Sequence, residues 1–567
     1  MPLAMRICTQ KVDKVKKITW RLTAAVSLMA ACALLDPQVK TLEQAWAVPH
    51  STNLLPHFEE VNGHEQLFVN GAPFAMLATE IPWWGLRVQS YRPDESVYDP
   101  LYPVAVRLGL NTLKVPVKWS MVEPVKDQYD FSYVDHALSQ ARLNHLHLVL
   151  DWFGHYASGA GTIYENLSGQ MFAPLYIVRD EVTYPRAVDG NGLAHHDAVS
   201  YDSDPVIERE EKAFKAFMLH LRQVDQDHIV IGIQLENEIA VFGSDRHNPK
   251  LFRDHSAASN RFFKQGGFTD DLKYSAWSLS SRWIRPLTEI AHATYPIPIF
   301  HNFVNGSLEP QQVGGSPGED VATYLRNAPD LSFIAVNAYF CSAWKDTTCP
   351  VPSDGKTEDF RATLRHFLVG RNIVAVTETN SGNTLVAPRF AFVALGEFAT
   401  PIFSPWCLTV SYPEMYQPYL LADGRLGNGA AAFHDAVQAL SLALPPILTY
   451  AGTEKIRVFQ APAIGQSYST EETVNGLALD MSESRDGQAI VIHPTAKQLL
   501  IVGYRTEVSI RNKELVWPTI QKLQVTRVRW SGSGWVDAGA ADYGVDQSST
   551  SLYVELADPQ AVLIALP

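Results

Sequence analysis

The chain predicts an α/β protein: a (β/α)8 TIM barrel followed by a small antiparallel β-sandwich domain. Three observations carry that expectation. Eight short β-branched or aromatic runs alternate with amphipathic helical stretches between about residue 60 and residue 405. Several of these runs are almost wholly apolar, as strands buried on both faces must be. After residue 450 the helical pattern stops, and only strand-like segments with Gly, Ser and Asp turns follow. Eight strand–helix alternations in one domain of this length close into a parallel barrel. An open doubly wound sheet is the alternative, but no Gly-rich phosphate loop follows any strand.

Taken in order, residues 1–47 read as a leader. Lys11, Lys14, Lys16, Lys17 and Arg21 precede LTAAVSLMAACALL (22–35), an apolar run too short to span a bilayer comfortably. Ala45-Trp46-Ala47 supplies an A-x-A-like cleavage pattern before Val48. Met29-Ala30-Ala31-Cys32 offers a lipoprotein-like site instead, and an uncleaved anchor is the third reading. The leader carries seven basic and three acidic residues, so its removal takes the formal charge from −14 to −18. The expectation is export to the periplasm or beyond, with no membrane attachment of the mature chain unless Cys32 is lipidated. Cleavage after Ala47 keeps Cys341, Cys349 and Cys407. The pair in CSAWKDTTC closes a short polar loop, where a disulfide contributes about 2–3 kcal/mol on the loop-entropy relation. Cys407 follows Trp406 in an apolar run and reads as a buried, inert thiol. Intact mass before and after reduction reads both points; a full-length, fully reduced native protein would overturn them.

Residues 55–450 are the expected barrel. Its strands are FAMLATE (74–80), TLKVPVKW (112–119), LHLVLDWF (146–153), IVIGIQLENE (229–238), IPIFHNF (297–303), SFIAVNAY (332–339), IVAVTET (373–379) and ATPIFSPW (399–406). Among the helices, residues 204–224 are the clearest. Asp204 can cap, Pro205 suits the first turn, and Ala213, Phe214, Phe217, Met218 and Leu221 form one stripe. A long insertion at 154–203, rich in Gly, Tyr and Asp, is expected to wall one side of the barrel mouth. The eighth helix is expected over about 429–445. Residues 451–567 form the β-rich domain, which contains no catalytic constellation.

Composition narrows the function. A formal charge of −14 without a basic stripe argues against nucleic acid. No CxxC or HExxH spacing occurs, and His195-His196-Asp197 reads as a solvated loop, so neither a metal nor a cofactor is expected. A barrel carries its site at the C-terminal strand ends. Here those ends hold Glu80, Trp119, Asp151 with Trp152, Asn237 with Glu238, Asn302, Tyr339, Glu378 and Trp406. Carboxylates, amides and aromatics converging in this way make a sugar pocket. Glu238 ends strand four and Glu378 ends strand seven, across a narrow mouth. Retaining glycosidases require two carboxyl groups roughly 5–5.5 Å apart. On strand periodicity Glu236 points into the barrel below the mouth and bonds within the wall.

QLENEIAVFG closely resembles the Gln-x-Glu-Asn-Glu motif of glycoside hydrolase family 35 β-galactosidases, within the retaining (β/α)8 clan. LNTLKVPVKWSMVEPVKDQYDF (110–131), LVLDWFG (148–154), residues 217–246 and FVALGEFATPIFSPW (392–406) resemble a bacterial subgroup with a β-rich C-terminal domain. The resemblance implies Glu238 as acid/base, Asn237 as the amide on the sugar 2-hydroxyl, Glu378 as nucleophile with Tyr339 beside it, and Trp406 as an aromatic platform. Glu80 and Asp151 would touch other sugar hydroxyls. Two departures stand out: Asp151-Trp152 replaces the usual Glu-Trp, and Thr79-Glu80 replaces Gly-Glu. The implied activity is that of a retaining exo-β-galactosidase. The alternatives are a β-glucosidase or other β-glycosidase or transglycosylase of the clan, and a non-catalytic glycan-binding barrel, which requires loss of a carboxylate.

Overall fold

The structure, a computed structural model, describes residue 46 and residues 48–81, 98–154, 172–239, 249–304, 317–339, 357–379, 386–409, 419–421, 423–460, 468–475, 477–511, 523–546 and 551–566. Val48–Pro567 form one compact unit. Cys32, Cys341 and Cys349 lie outside the described residues, as does most of the leader.

An antiparallel hairpin of β1 (His57–Val61) and β2 (His64–Val69), extended by β3 (Ala72–Pro73), opens the fold. Eight parallel strands follow: β4 (Met76–Leu77), β5 (Thr112–Lys118), β6 (His147–Phe153), β9 (Val230–Leu235), β10 (Ile299–Val304), β11 (Phe333–Ala338), β12 (Val376–Thr379) and β13 (Ile402–Phe403). Between β6 and β9, β7 (Arg186–Val188) and β8 (Ala194–Val199) form a separate hairpin. The sheet runs β4-β13-β12-β11-β10-β9-β6-β5. It closes where Glu80 bridges Lys114 in parallel, with Lys114 N donating to Thr79 O at 3.0 Å. All eight expected strands are present, and the barrel is closed.

Each barrel strand is followed by a main helix, with shorter helices in some of the connections: α1 (Leu101–Arg107), α2 (Ser132–Asn144), α3 (Asp204–Val224), α4 (Arg285–Thr294), α5 (Pro317–Asn327), α6 (Thr357–His366), α7 (Val386–Phe398) and α8 (Asn428–Ser441). The expected stripe of α3 is buried throughout. Its cap position is Ser203 rather than Asp204, which sits in the first turn where its charge meets the positive end of the helix dipole.

The barrel interior changes character along its axis. At the N-terminal end Met76, Ala78, Val149, Ile231, Phe300, Phe333, Ala335, Ala375 and Ile402 form one apolar cluster, closed from below by Leu67 and Val69 of β2. Two residues further along the same faces the side chains become Glu80, Asp151, Asn302 and Asn337. Because successive side chains alternate, this step of two moves straight up the lumen from apolar floor to polar mouth.

Outside the lumen, the wall is pinned to its helices by a buried carboxylate. Glu210 of α3 is fully buried and accepts the indole N–H of Trp152 at 2.9 Å and of Trp283 at 3.0 Å. The backbone of Gly154 passes so close that a Cβ there would overlap the Glu210 carboxyl group. Glu210→Ala strands two buried donors, at a cost of about 2–5 kcal/mol. The expected result is a thermal midpoint several degrees lower, read by calorimetry, with Glu210→Gln partly restoring it. An unchanged midpoint in the alanine variant would refute the pinning role.

The C-terminal domain is antiparallel and β-rich, with nine strands among the described residues, from β14 (Ile456–Gln460) to β22 (Gln560–Ala565). Two long strands, β16 (Leu477–Thr495) and β17 (Gln498–Arg511), belong to both of its halves. Their pairing slips between Glu483 and Gln488. On one side of that irregularity they pair with β14 and β22, and on the other with β15 (Tyr468–Val474) and β21 (Ser551–Leu556). Residues of both halves share one apolar cluster, including Phe459, Val491, Ile501, Met481, Val508 and Val554. The two layers are therefore one hydrogen-bonded sheet bent across bulges. Phe392 of α7 meets Tyr504 edge-on, and Arg505 bonds Asp435 of α8 at 2.5 Å.

Candidate active site

Strand β9 ends at Leu235, before the acids begin. Glu236 and Glu238 both take left-handed backbone conformations, at φ 55° and 49°. Non-glycine residues rarely adopt these angles, and here alternate residues do so at the barrel mouth. The turn therefore breaks strand periodicity. Glu236 is buried and accepts from Gly154 N at 2.7 Å, a wall contact as expected, but its direction comes from the turn and not from the pleat.

Glu238 is fixed from two sides. Its backbone N–H donates to Asn302 Oδ1 at 2.9 Å, and its Oε1 accepts from Asn337 Nδ2 at 2.7 Å. Asn302 Nδ2 donates to Asn237 Oδ1 at 2.6 Å and to Asn337 Oδ1 at 3.1 Å. Thr377 Oγ1 also donates to Asn337 Oδ1, at 2.8 Å. Three amides from three strand ends thus interlock behind the carboxylate. Asn302 was expected at the substrate. It is instead fully buried with its amide committed to protein partners, so it supports Asn237 and Glu238 from beneath. Asn237 keeps its Nδ2 without an acceptor among the described residues, as a ligand-binding amide must.

Glu378 reaches the mouth through an irregularity. Val336 of β11 pairs with Val376, but Asn337 pairs with Glu378, so one extra residue, Thr377, is accommodated. The slip re-aims the side chain that ordinary alternation would send elsewhere. Tyr339 Oη donates to Glu378 Oε2 at 2.6 Å, while Oε1 is buried with no donor among the described residues. Burial pushes the Glu378 carboxyl well above the usual carboxylate range, the nearby charges of Glu238 and Glu80 push it further, and Lys114 and the Tyr339 hydrogen bond oppose them. Glu238 and Glu378 therefore share one electrostatic site.

The floor beside Glu378 is charged. Lys114, fully buried on β5, donates to Glu80 Oε2 at 2.5 Å and lies 3.6 Å from Asp151 Oδ2. Burial raises the Asp151 carboxyl well above its ordinary value against the pull of Lys114. Neither Asp151 oxygen has a hydrogen-bond donor among the described residues. Such a group is suited to hydroxyl donors brought by a ligand. The expected positions of Glu80 and Asp151 are thus brought together, and Lys114 joins them.

Trp119 and Trp152, both expected at the sugar, are in the core. Asp151 faces the lumen, so its neighbour Trp152 faces α3, packed on Phe214 and Phe217. Trp119 starts a short helix after β5, where its indole N–H donates to the buried Glu123 at 3.0 Å. Trp406 stands at the mouth, its backbone N–H donating to Thr379 O at 3.0 Å, and a cis peptide links it to Cys407. Cys407 is a buried free thiol that burial holds well above its ordinary pKa, in line with an inert role. His195 and His196 lie in strand β8, paired with Asp189 and Glu181, and not in a loop. The inserted segment reaches the mouth in part: Phe172 stacks on Phe153 and lies 5.3 Å from Lys118 Nζ.

Lys114 and Asn337 are the side chains of this cluster that the sequence did not single out. A lysine inside an apolar strand run was the available signal, since a buried ammonium demands carboxylates. For Asn337 no signal separates it from an ordinary strand-end amide.

No protein-family model matches the chain, and no curated protein matches it in sequence. Among solved structures it is similar to a β-galactosidase from the psychrophilic Marinomonas ef1, with 11% identity and a TM-score of 0.46 over 66% of this chain and 61% of that one. A β-galactosidase from the Antarctic haloarchaeon Halorubrum lacusprofundi gives 14%, 0.45, 65% and 58% in the same terms. Endo-glycoceramidase II from Rhodococcus sp. gives 14%, 0.42, 88% and 98%. The chain thus spans about three fifths of the two β-galactosidases' own length. Identities this low with TM-scores below 0.5 identify neither family nor activity. The barrel is established by the chain's own strand order.

Proposed function

We propose that the protein is a retaining exo-β-glycosidase, most specifically a β-galactosidase, that acts through Glu238 and Glu378. The observation that carries this reading is the carboxylate pair: two mutually repelling acids at one barrel mouth, one held by an amide and the other with a buried oxygen facing no donor. In the first step Glu378 Oε1 attacks the anomeric carbon. The bond to the leaving oxygen breaks, and Glu238 gives that oxygen its proton. In the second step Glu238 takes a proton from water as the water displaces Glu378. Two inversions leave the configuration unchanged. Asn237 is assigned to the 2-hydroxyl, Glu80 and Asp151 to further hydroxyls, and Trp406 to the ring face.

Proton NMR of a fresh reaction with aryl β-galactoside is expected to show the β sugar first; an α sugar would refute the double displacement. Galactose differs from glucose at the axial 4-hydroxyl, and a pocket built to bond that group rejects glucose by leaving its own polar atoms unpaired. Asp151, whose oxygens have no hydrogen-bond donor among the described residues and only the ammonium of Lys114 at 3.6 Å, is the group assigned to that reading. In a panel of aryl β-glycosides the galactoside is therefore expected to react fastest, with glucoside and mannoside much slower. A faster glucoside would overturn the galactose preference and leave the carboxylate mechanism standing.

A further inference from the structure

The polar layer above the apolar barrel floor holds a cation that the double displacement does not use. Lys114 Nζ is sealed from solvent, bonded to Glu80, within 3.6 Å of Asp151 and 3.5 Å from the carbonyl of Thr377, the residue before Glu378. An ammonium so placed has given up its hydration, and structural pinning of Glu80 alone would not need it beside a second carboxylate and against the backbone that carries Glu378. We infer that Lys114 is a positioning residue for Glu378, supplying the one buried positive charge among the described groups around it that favours the ionised carboxylate needed for attack.

Glu378 is faced from every side. Glu80 follows β4, Lys114 comes from β5, Glu238 from the turn after β9, Tyr339 from the end of β11 and Cys407 from beyond β13, with Asp151 of β6 reached through Lys114. Two of these groups are carboxylates that disfavour ionisation of Glu378, and Lys114 is the one cation among them. Burial strengthens each of these interactions relative to water. The lysine is itself held charged by Asp151, Glu80 and Glu378, which outweigh its own burial.

The inference rests on the proposed role of Glu378 as nucleophile, and the two can fail separately. The acidic limb of kcat/KM against pH reports protonation of the group that must be ionised in the free enzyme. Removing the cation raises the affinity of Glu378 for its proton, so the limb moves to higher pH. In Lys114→Gln, which keeps a hydrogen-bond donor toward Glu80, a shift of about one unit or more is expected, with about a tenfold loss of kcat/KM below the limb and a smaller loss on the plateau. Lys114→Arg, which keeps the charge, is expected to hold the limb near its original position even where the rate falls. If the stranded Glu80 carboxylate prevents folding, the same comparison is made between Glu80→Gln and Glu80→Gln/Lys114→Gln, where the same upward shift is expected. A uniform loss of rate with an unmoved limb would overturn the inference and leave Lys114 a structural residue. Full turnover in Glu378→Ala would instead overturn the nucleophile assignment.

Discussion

Glu378→Ala is expected to lower turnover of an aryl β-galactoside by on the order of 10⁴-fold or more, because no other group can form the covalent intermediate. The proposed role rests on the surroundings of the two carboxylate oxygens. Tyr339 occupies Oε2, and Oε1 is the oxygen left for the anomeric carbon. Alanine leaves a space on the attacking face, and added azide is expected to enter it, restore part of the rate and yield the α-glycosyl azide. That product follows from a single inversion. A variant with substantial unaided activity, or a rescue giving only β azide, would refute Glu378 as nucleophile.

Glu238→Ala is expected to give the opposite pattern. General acid assistance contributes roughly 10²–10⁴-fold, and only to departures that need a proton. Alkyl and sugar leaving groups should therefore lose about that factor in the first step, while a dinitrophenyl glycoside should lose far less. Azide intercepts the accumulated intermediate in this variant and gives the β-glycosyl azide. The two alanine variants thus yield azides of opposite configuration from one substrate, which separates the roles without reference to rate. Equal losses on every leaving group would overturn the assignment. Asn337, which donates to Glu238 at 2.7 Å, would hold that carboxylate in place for both proposed steps.

The sequence by itself determined the barrel, its eight strands and which acids lie at the C-terminal ends of the fourth and seventh, Glu238 just beyond its strand and Glu378 within its own. It could do so because alternation of apolar strands with amphipathic helices is a local pattern, and polar residues at the ends of buried runs are conspicuous. Wherever a side chain's direction depended on regular alternation, tertiary structure decided. The slip at Thr377 brings Glu378 into register with Asn337, and the left-handed turn at Glu236 and Glu238 ends the pleat before the acids. Trp152 falls on the helix side because Asp151 takes the lumen side, and adjacent strand residues cannot share a face. Asn302 was legible as a strand-end amide, but its use beneath Asn237 and Glu238 required partners 65 and 64 residues away in sequence. The same holds for Lys114, whose counterions Glu80 and Asp151 are near only after the barrel closes. A buried charge is stabilised by neighbours that chain closure supplies, and neighbours of that kind are written nowhere in the local sequence.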